Sequence, residues 1–174
     1  MIPNFRIDDV LQSTNFSPAE QEAFSIKPPF EWFKDATEVF EDRYVKLAIV
    51  AEGIDSQPEW VEYIKAHKNW EVQVHCWEHK VMKWMSEQEL LTEIKMAKEK
   101  IEQTFNQRCT QFFPPKHYHS DNMWRATRDL GLSLMMERYI PDHYFNYGNI
   151  ADVYFHFWNP GQIEQVRRIL DDSS

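Results

Sequence analysis

The stretch Val-Lys-Leu-Ala-Ile-Val-Ala, residues 45–51, is a mostly apolar run of strand length. Such a run is typical of a strand buried on both faces, as in a parallel sheet. A helix is predicted on each side of it, over 30–40 and 58–67, and the alternating residues 70–76 predict the next strand. Strands that alternate with helices indicate βαβ units and a mainly parallel sheet.

The same alternation of strand and helix patterns extends to both ends of the chain. Ser17 before Pro18 marks one helix start, and Ser86 with Glu89 forms a capping box at another. Further strands are predicted over 5–10, 110–113, 132–136 and 153–158, and further helices over 17–24, 86–106, 121–130 and 162–170. The chain contains no internal repeat and no linker, so residues 1–174 are predicted to form a single domain.

Composition and charge restrict the classes of partner. Hydrophobic residues make up 43% of the chain, which is ample for a packed core. The seven Trp and seven Tyr residues exceed the needs of a plain core, and their flat rings with one polar edge suit sugar faces as well as interiors. The net charge of −9, without a basic stripe, argues against a nucleic-acid partner.

Targeting and redox signals favour a protein of a reducing compartment. Two cysteines are too few for a disulfide framework. No basic segment followed by an apolar run is present at the start, and no stretch approaches the roughly 18 apolar residues of a membrane span. We therefore expect a cytoplasmic protein without a membrane partner.

Residues able to carry chemistry follow the predicted strands at their carboxyl ends. Asp8 and Asp9 end the first strand, His75 ends the third, and His156 lies in the last. Sites of parallel α/β sheets form at this edge. The sequence therefore predicts that these side chains meet on one rim.

One aspartate and the histidines His75 and His79 can make a three-ligand metal site. Three protein ligands leave one position open, which is typical of a catalytic zinc. The other aspartate would be free to act as a base, since adjacent strand residues point in different directions and need not share a role. Two plainer interpretations stay open: the aspartates can cap a following helix or start a turn, and His79 can lie on the surface beside a buried His75.

This order of motifs resembles the polysaccharide deacetylase family, also called the NodB-homology family or carbohydrate esterase family 4. The family's Thr-Phe-Asp-Asp-Gly is similar to residues 6–10, and its His-Ser/Thr-x-x-His is similar to residues 75–79. The resemblance implies that Asp8 is the catalytic base. It also implies that Asp9 and the two histidines hold a divalent metal, with zinc expected and cobalt, nickel, manganese or iron as alternatives.

The third family motif, Arg-x-Pro-Tyr, departs from the family pattern in this chain. Phe113 occupies the position of the arginine that orients the base, and Lys116 replaces the tyrosine. Arg6 or Lys116 could substitute for that arginine. The backbone N–H of Lys116 can still stabilise an oxyanion. Pro115 and Trp77 are further candidates for contact with the substrate.

The remaining motifs supply an acid and a tuning group. The strand around residues 153–158 is similar to the family's Leu-x-His strand, which implies that His156 is the general acid. Asp142 is a candidate for the aspartate that tunes it, with an ordinary loop acid as the alternative. His117 is expected at the rim or on the surface, outside the set of metal ligands.

The resemblance implies a compact, divergent member of the family. The expected fold is α/β, a distorted (β/α) barrel of the NodB type with mainly parallel strands and fewer than eight of them. The expected function is metal-dependent hydrolysis of acetyl groups from N-acetylated sugars, with an N-acetylated saccharide as substrate. Two alternatives stay open: a catalytically silent glycan-binding module, and a non-haem ferrous enzyme with a two-His-one-carboxylate site.

Overall fold

A computed structural model describes residues 4–135 and 152–171 of the chain. The strands are β1 Asn4–Val10, β2 Val45–Val50, β3 Trp70–Cys76, β4 Gln111–Phe112, β5 Ser133–Leu134 and β6 Asp152–His156. The helices are α1 Pro18–Ile26, α2 Pro29–Thr37, α3 Pro58–Ala66, α4 Glu87–Phe105, α5 Asp121–Asp129 and α6 Pro160–Asp171. Short 3₁₀ turns cover Glu38–Phe40, Ala51–Gly53 and Pro115–His117.

The six strands form one sheet in the order β5-β4-β3-β2-β1-β6. Every pair of neighbouring strands is parallel, so each strand is followed by a crossover to the same end of the sheet. The sheet curls into a half-barrel with helices packed outside it. The predicted fold is confirmed: a distorted (β/α) barrel with fewer than eight strands among the described residues. The single-domain assignment stays a prediction.

The two faces of the sheet have opposite character. On β1, Phe5 and Ile7 belong to the hydrophobic core, whereas Arg6 and Asp8 alternate with them on the inner face. The parallel register places Tyr154 beside Arg6 and His156 beside Asp8 on β6. Polar residues therefore line the concave side of the half-barrel, while apolar residues on the other face pack against the outer helices.

Most predicted elements are present with shifted ends. The predicted helix over 30–40 divides, because α2 ends at Thr37 and a 3₁₀ turn follows. The last strand stops at His156, since the N–H of Asn159 turns back to the His156 carbonyl. The predicted strand over 132–136 shortens to β5, and its final residue lies outside the described residues.

The end of β1 has an unusual backbone. Asp9 and Leu11 both adopt left-handed conformations, with φ of 59° and 66°, and the register with β2 shifts between Ile7 and Val10. This conformation is tolerated by Asp but costs a Leu residue about 1–3 kcal/mol. Gly53 allows the backbone to pass close to this turn, because a Cβ at position 53 would lie 1.8 Å from the Leu11 carbonyl oxygen. Backbone strain is therefore concentrated at the end of β1, beside the two aspartates.

None of the helices in the described ranges is both long enough and apolar enough to cross a lipid bilayer.

Candidate active site

Asp9, His75 and His79 converge at the carboxyl edge of the sheet. Asp9 Oδ1 lies 3.1 Å from His75 Nε2 and 3.0 Å from His79 Nε2. All three side chains are buried, and their ligand atoms lie within 4.8 Å of one another. Residues 77–80 form a bend rather than a helical turn, yet the two imidazole rings still stack with their centroids 5.3 Å apart.

The donor set fits a divalent metal ion. Carboxylate and imidazole ligand atoms about 2.0–2.2 Å from a tetrahedral zinc lie about 3.3–3.6 Å from each other, a little more than the 3.1 and 3.0 Å that separate Asp9 Oδ1 from the two imidazole nitrogens. The ring Nδ1 of His75 lies 2.6 Å from the Phe113 carbonyl oxygen, to which it donates when Nδ1 carries the proton. With the proton on Nδ1, Nε2 would present its lone pair to an ion held beside Asp9, as in metal-binding histidines generally.

The charge on Asp9 is fixed by its neighbours. Burial alone would raise the pKa of the Asp9 carboxyl, but hydrogen bonds with His75 and His79 and the charge of His156 bring that pKa well below its usual value. Asp9 is therefore an anion at neutral pH despite its burial. The Asp9 carboxylate therefore has no proton to release when a metal binds, whereas each imidazole would exchange its hydrogen bond with Asp9 for a bond to the ion.

Asp8 has a separate partner. Arg6 Nε donates to Asp8 Oδ1 over 2.5 Å, and Arg6 Nη2 donates to Asp8 Oδ2 over 2.7 Å. Both side chains are nearly inaccessible, with Arg6 2% and Asp8 1% exposed. The two hydrogen bonds form a bidentate pair that fixes the plane of the carboxylate.

The Arg6 guanidinium packs against the residue that stands in place of the arginine of the third motif. Its Cζ is 3.8 Å from the centroid of the Phe113 ring and 5.1 Å from that of Tyr154. Phe113 is the residue at the position of the family arginine. An arginine from β1 therefore stacks on Phe113, and it binds the carboxylate to which the resemblance assigns the role of base.

His156 lies beside both aspartates. Its Nε2 is 3.4 Å from Asp9 Oδ2, and its ring packs against the Trp158 ring with centroids 4.9 Å apart. The backbone N–H of His156 donates to Gln162 Oε1 at the start of α6, which anchors the end of β6. The imidazole is partly exposed, so it can exchange protons with solvent or substrate.

A cavity of about 390 Å³ opens over these residues. Its lining consists of Asp8, Asp9, Ser17, Glu20, His75, His79, Lys116, His117, Tyr118, His156 and Trp158. Under strict strand alternation Asp8 and Asp9 would point to opposite faces. The left-handed conformation of Asp9 brings both carboxylates into the same cavity.

The other predicted site residues have varied positions. Lys116 lines the cavity and has a left-handed backbone, with φ of 57°. Pro115 is buried beside it, whereas Trp77 packs against the hydrophobic core and is not among the described cavity-lining residues. Asp142 lies outside the described residues, and its role in tuning His156 stays a prediction.

Glu20 and Trp158 line the cavity but were not identified as site residues from sequence. Glu20 accepts a hydrogen bond from the backbone N–H of Ser17 in a capping box, and its other carboxylate oxygen has no hydrogen-bond partner. The Ser-Pro-Ala-Glu pattern explains Glu20 as part of a helix start, so the sequence gives no sign that this glutamate also lines the cavity. Trp158 follows His156 by two residues, so strand alternation could have placed it on the same side.

His117 lines the cavity, at the rim where it was expected. Partial burial lowers the pKa of the His117 imidazole to about 4, although the charge of Asp8 acts in the opposite direction. Its Nε2 lies 3.2 Å from the Tyr154 hydroxyl. His117 is therefore neutral at pH 7 and does not compete with the two aspartates for a proton.

A sequence profile of the polysaccharide deacetylase family matches residues 29–135. This match covers more than half of the chain, so the protein belongs to the polysaccharide deacetylase family. The matched segment contains His75, His79 and Phe113, and it does not include Asp8, Asp9 or His156. A search of the curated proteins finds no match to this chain.

Solved structures support the same fold. A pseudoenzyme of carbohydrate esterase family 4 from Bacillus anthracis superposes with a TM-score of 0.69 at 14% identity, over 99% of this chain and 61% of its own. A family 4 carbohydrate esterase from Streptomyces lividans, in complex with acetate, gives 0.68 at 14% identity, over 97% and 85%. The peptidoglycan deacetylase PdaC from Bacillus subtilis gives 0.64 at 14% identity, over 98% and 82%. The chain thus spans less than two thirds of the pseudoenzyme's length.

Proposed function

We propose that the protein is a metal-dependent hydrolase that removes acetyl groups from N-acetylated saccharides. The observation that carries the proposal is the pair of neighbouring carboxylates in one cavity with different partners. Arg6 binds Asp8 in a bidentate geometry, and two histidines bind Asp9. A hydrolase of this kind needs one carboxylate for a metal and another for a proton.

Asp9, His75 and His79 would hold the ion, with zinc as the expected metal and cobalt, nickel, manganese or iron as alternatives. Such an ion, when bound, would polarise the amide carbonyl and acidify a water molecule. The three donors leave room for substrate or water on the cavity side, because all three lie on its wall.

The protein's own side chains then account for each proton. Asp8 accepts the proton of the attacking water while the water oxygen bonds to the acetyl carbon. The backbone N–H of Lys116 donates to the oxyanion that develops on the former carbonyl. His156 gives its proton to the amine nitrogen as the C–N bond breaks, so acetate and a free amino sugar leave. Arg6 holds Asp8 in the orientation needed for the first transfer.

A silent glycan-binding module is the second candidate. It is favoured by the replacement of the family's motif-three arginine and tyrosine by Phe113 and Lys116, and by the presence of a pseudoenzyme among the similar folds. The position of Arg6 weighs against it, because the arginine function is still available from another strand. Family membership favours a hydrolase over the ferrous oxygenase alternative.

Acetate release from chitooligosaccharides tests this function. Metal-stripped protein should be inactive, and addition of one zinc equivalent should start release of acetate and of free amino groups in equal amounts. If the metal-loaded protein binds these sugars but releases no acetate from them, the binding-module function replaces the enzymatic one.

A further inference from the structure

Two polar atoms in the wall of the active-site cavity are buried and have no hydrogen-bond partner among the described residues. They are the acceptor Glu20 Oε1 and the donor Trp158 Nε1. Glu20 as a whole is only 2% exposed. A buried polar atom without a partner costs stability, so nearly all such atoms in folded proteins are paired. An unpaired donor and an unpaired acceptor in one cavity therefore indicate a ligand that supplies both partners.

The start of α1 accounts for only one of the two carboxylate oxygens of Glu20. The Ser17 N–H donates to Glu20 Oε2 over 2.5 Å, and the Glu20 N–H donates to Ser17 Oγ over 3.3 Å. This reciprocal capping box holds the carboxylate in one orientation. A glutamine would cap the helix equally well, because it also offers one side-chain oxygen. Helix capping therefore does not explain why the second buried atom of this side chain is an acceptor.

Helix α1 packs against the segment that carries Trp158. Phe24, one turn after Glu20, stacks on Phe157 with the ring centroids 6.2 Å apart. Because Phe157 adjoins Trp158 in the chain, this ring pair brings together the two walls that carry the unpaired atoms. The unpaired atoms are thus held in place by packing before a ligand binds, which lowers the entropic cost of binding.

Trp158 lies beside the group that would release the amine. Its ring centroid is 4.9 Å from that of His156. In the proposed reaction His156 gives a proton to the amine nitrogen, and this nitrogen is bonded to the sugar ring. The sugar ring must therefore lie next to His156, on the part of the cavity wall that includes the indole.

The chemistry of the two unpaired atoms restricts the groups that can satisfy them. A carboxylate oxygen accepts hydrogen bonds, whereas an indole N–H only donates one. An ammonium group donates and cannot accept, and an ionised carboxylate accepts and cannot donate. A hydroxyl group does both, and a sugar unit carries several of them close together. The pair therefore favours a neutral, hydroxylated ligand over a cationic or an anionic one.

We propose that Glu20 and Trp158 are a specificity-determining pair for the reacting sugar unit. Glu20 Oε1 accepts a hydrogen bond from one hydroxyl group of this unit, and Trp158 Nε1 donates to an oxygen of the same unit. The inference rests on the proposed function and adds the two residues that distinguish a sugar from other N-acetylated amines. An N-acetylated amine without hydroxyl groups leaves both buried atoms unpaired, which is the strongest kind of discrimination that a binding site achieves.

Substitution of Glu20 by glutamine separates sugar recognition from helix capping. Glutamine keeps an oxygen for the Ser17 N–H and places an amide NH₂ at the position of Oε1, so the melting temperature should stay close to that of the wild type. On the metal-loaded, full-length chain, Glu20→Gln should lower kcat/KM for N-acetylglucosamine about 10- to 100-fold. Monodeoxy analogues, one for each hydroxyl group, identify the partner. The loss should disappear with one of them, because the wild type lacks the same hydrogen bond there.

Two further variants complete the test. Glu89→Gln is the matched control, because Glu89 forms the corresponding capping box with Ser86 on α4 and is not among the described cavity-lining residues. It should not change kcat/KM for any of these sugars. Trp158→Phe removes the indole N–H and keeps an aromatic ring, so it should weaken binding of N-acetylglucosamine about 2- to 10-fold. Unchanged binding in Trp158→Phe would overturn the assignment of the ligand as a group that both donates and accepts.

A calorimetric titration with N-acetylglucosamine separates the specificity-determining pair from the enzymatic function. If the wild type binds this sugar without releasing acetate, and Glu20→Gln weakens the binding by the same factor, the pair stands and the proposed hydrolysis falls. If Glu20→Gln equals the wild type, or if its loss is the same for every monodeoxy analogue, Glu20 serves only the helix start and the proposal is overturned. Failure of the wild type to bind N-acetylglucosamine would overturn it as well.

Discussion

The two adjacent carboxylates, Asp8 and Asp9, share a cavity and differ in everything that surrounds them. Asp8 belongs to the regular part of β1 and is bound on both oxygens by one arginine from its own strand. Asp9 has a left-handed backbone and is bound by two histidines from β3 and the bend that follows it. One carboxylate faces a guanidinium, and the other faces two imidazoles that can bind a metal ion.

This difference explains how neighbouring residues of the same type can have different roles. A guanidinium is a planar fork of N–H donors, so Arg6 orients Asp8 through two parallel hydrogen bonds. The imidazoles of His75 and His79 offer lone pairs when neutral, so they complete a ligand set with Asp9. Division of labour between base and ligand therefore depends on partners from different strands.

The largest expected effect outside the carboxylates concerns His156, which lies 3.4 Å from Asp9 Oδ2. His156→Ala should lower the rate of acetate release about 10²–10⁴-fold, the usual contribution of a positioned acid, and should keep one metal equivalent. The wild-type pH–rate profile should be bell-shaped. Loss of the imidazole should flatten its alkaline limb, because that limb reports deprotonation of the acid.

His117→Ala is the control for the alkaline limb. The pKa of His117 is lowered to about 4, so this imidazole has already lost its proton well below the alkaline limb. The limb should therefore persist in this variant even if the rate changes. Loss of metal from His156→Ala would show instead that the Asp9 cluster has four protein ligands, and it would break the proposed separation of acid from ligands.

A smaller effect is expected at Arg6. Arg6→Lys keeps a positive charge but cannot make two parallel hydrogen bonds to Asp8, so acetate release should fall about 10- to 100-fold with metal content unchanged. Metal analysis and acetate release on the same sample measure both. Equal activity of Arg6→Lys and wild type would mean that the orientation of Asp8 does not depend on Arg6.

Moving the arginine from position 6 to position 113 tests whether Asp8 needs an arginine on β1. The double variant Arg6→Thr, Phe113→Arg restores the residue types of the family motifs at both positions. The Arg6 Cζ now lies 3.8 Å from the Phe113 ring centroid, so an arginine at position 113 would start close to Asp8. The double variant should recover activity lost in Arg6→Thr alone. Failure to recover, in a protein that folds, would show that the β1 location itself is required.

The sheet was predictable because the signals that define it are local. The apolar run of β2 and the alternation in β3 reflect burial on each face, and the capping boxes of α1 and α4 fix two helix starts. Edges were less predictable. The end of β6 is set by a hydrogen bond from the Asn159 N–H to the His156 carbonyl, although the apolar residues Phe157 and Trp158 continue the strand-like pattern.

The site was predictable in its residue types and less so in its geometry. Spacing identified Asp8, Asp9, His75 and His79 as candidates, but the left-handed backbone of Asp9 has no signature in a sequence that lacks the family glycine. Val10, at that glycine position, does not have a positive φ, whereas its neighbours Asp9 and Leu11 do. The contact of Arg6 with Phe113 joins β1 to the residue that follows β4, and no local pattern encodes it.

The division between Asp8 and Asp9 is tested most directly by metal content and turnover of Asp8→Asn and Asp9→Asn, measured in parallel after metal reconstitution. Asn keeps the size of each side chain and removes its charge. We predict that Asp8→Asn keeps close to one equivalent of metal and loses acetate release, whereas Asp9→Asn loses the metal itself. Loss of metal in both variants, or retention of metal and activity in either, would contradict the assignment of base and ligand.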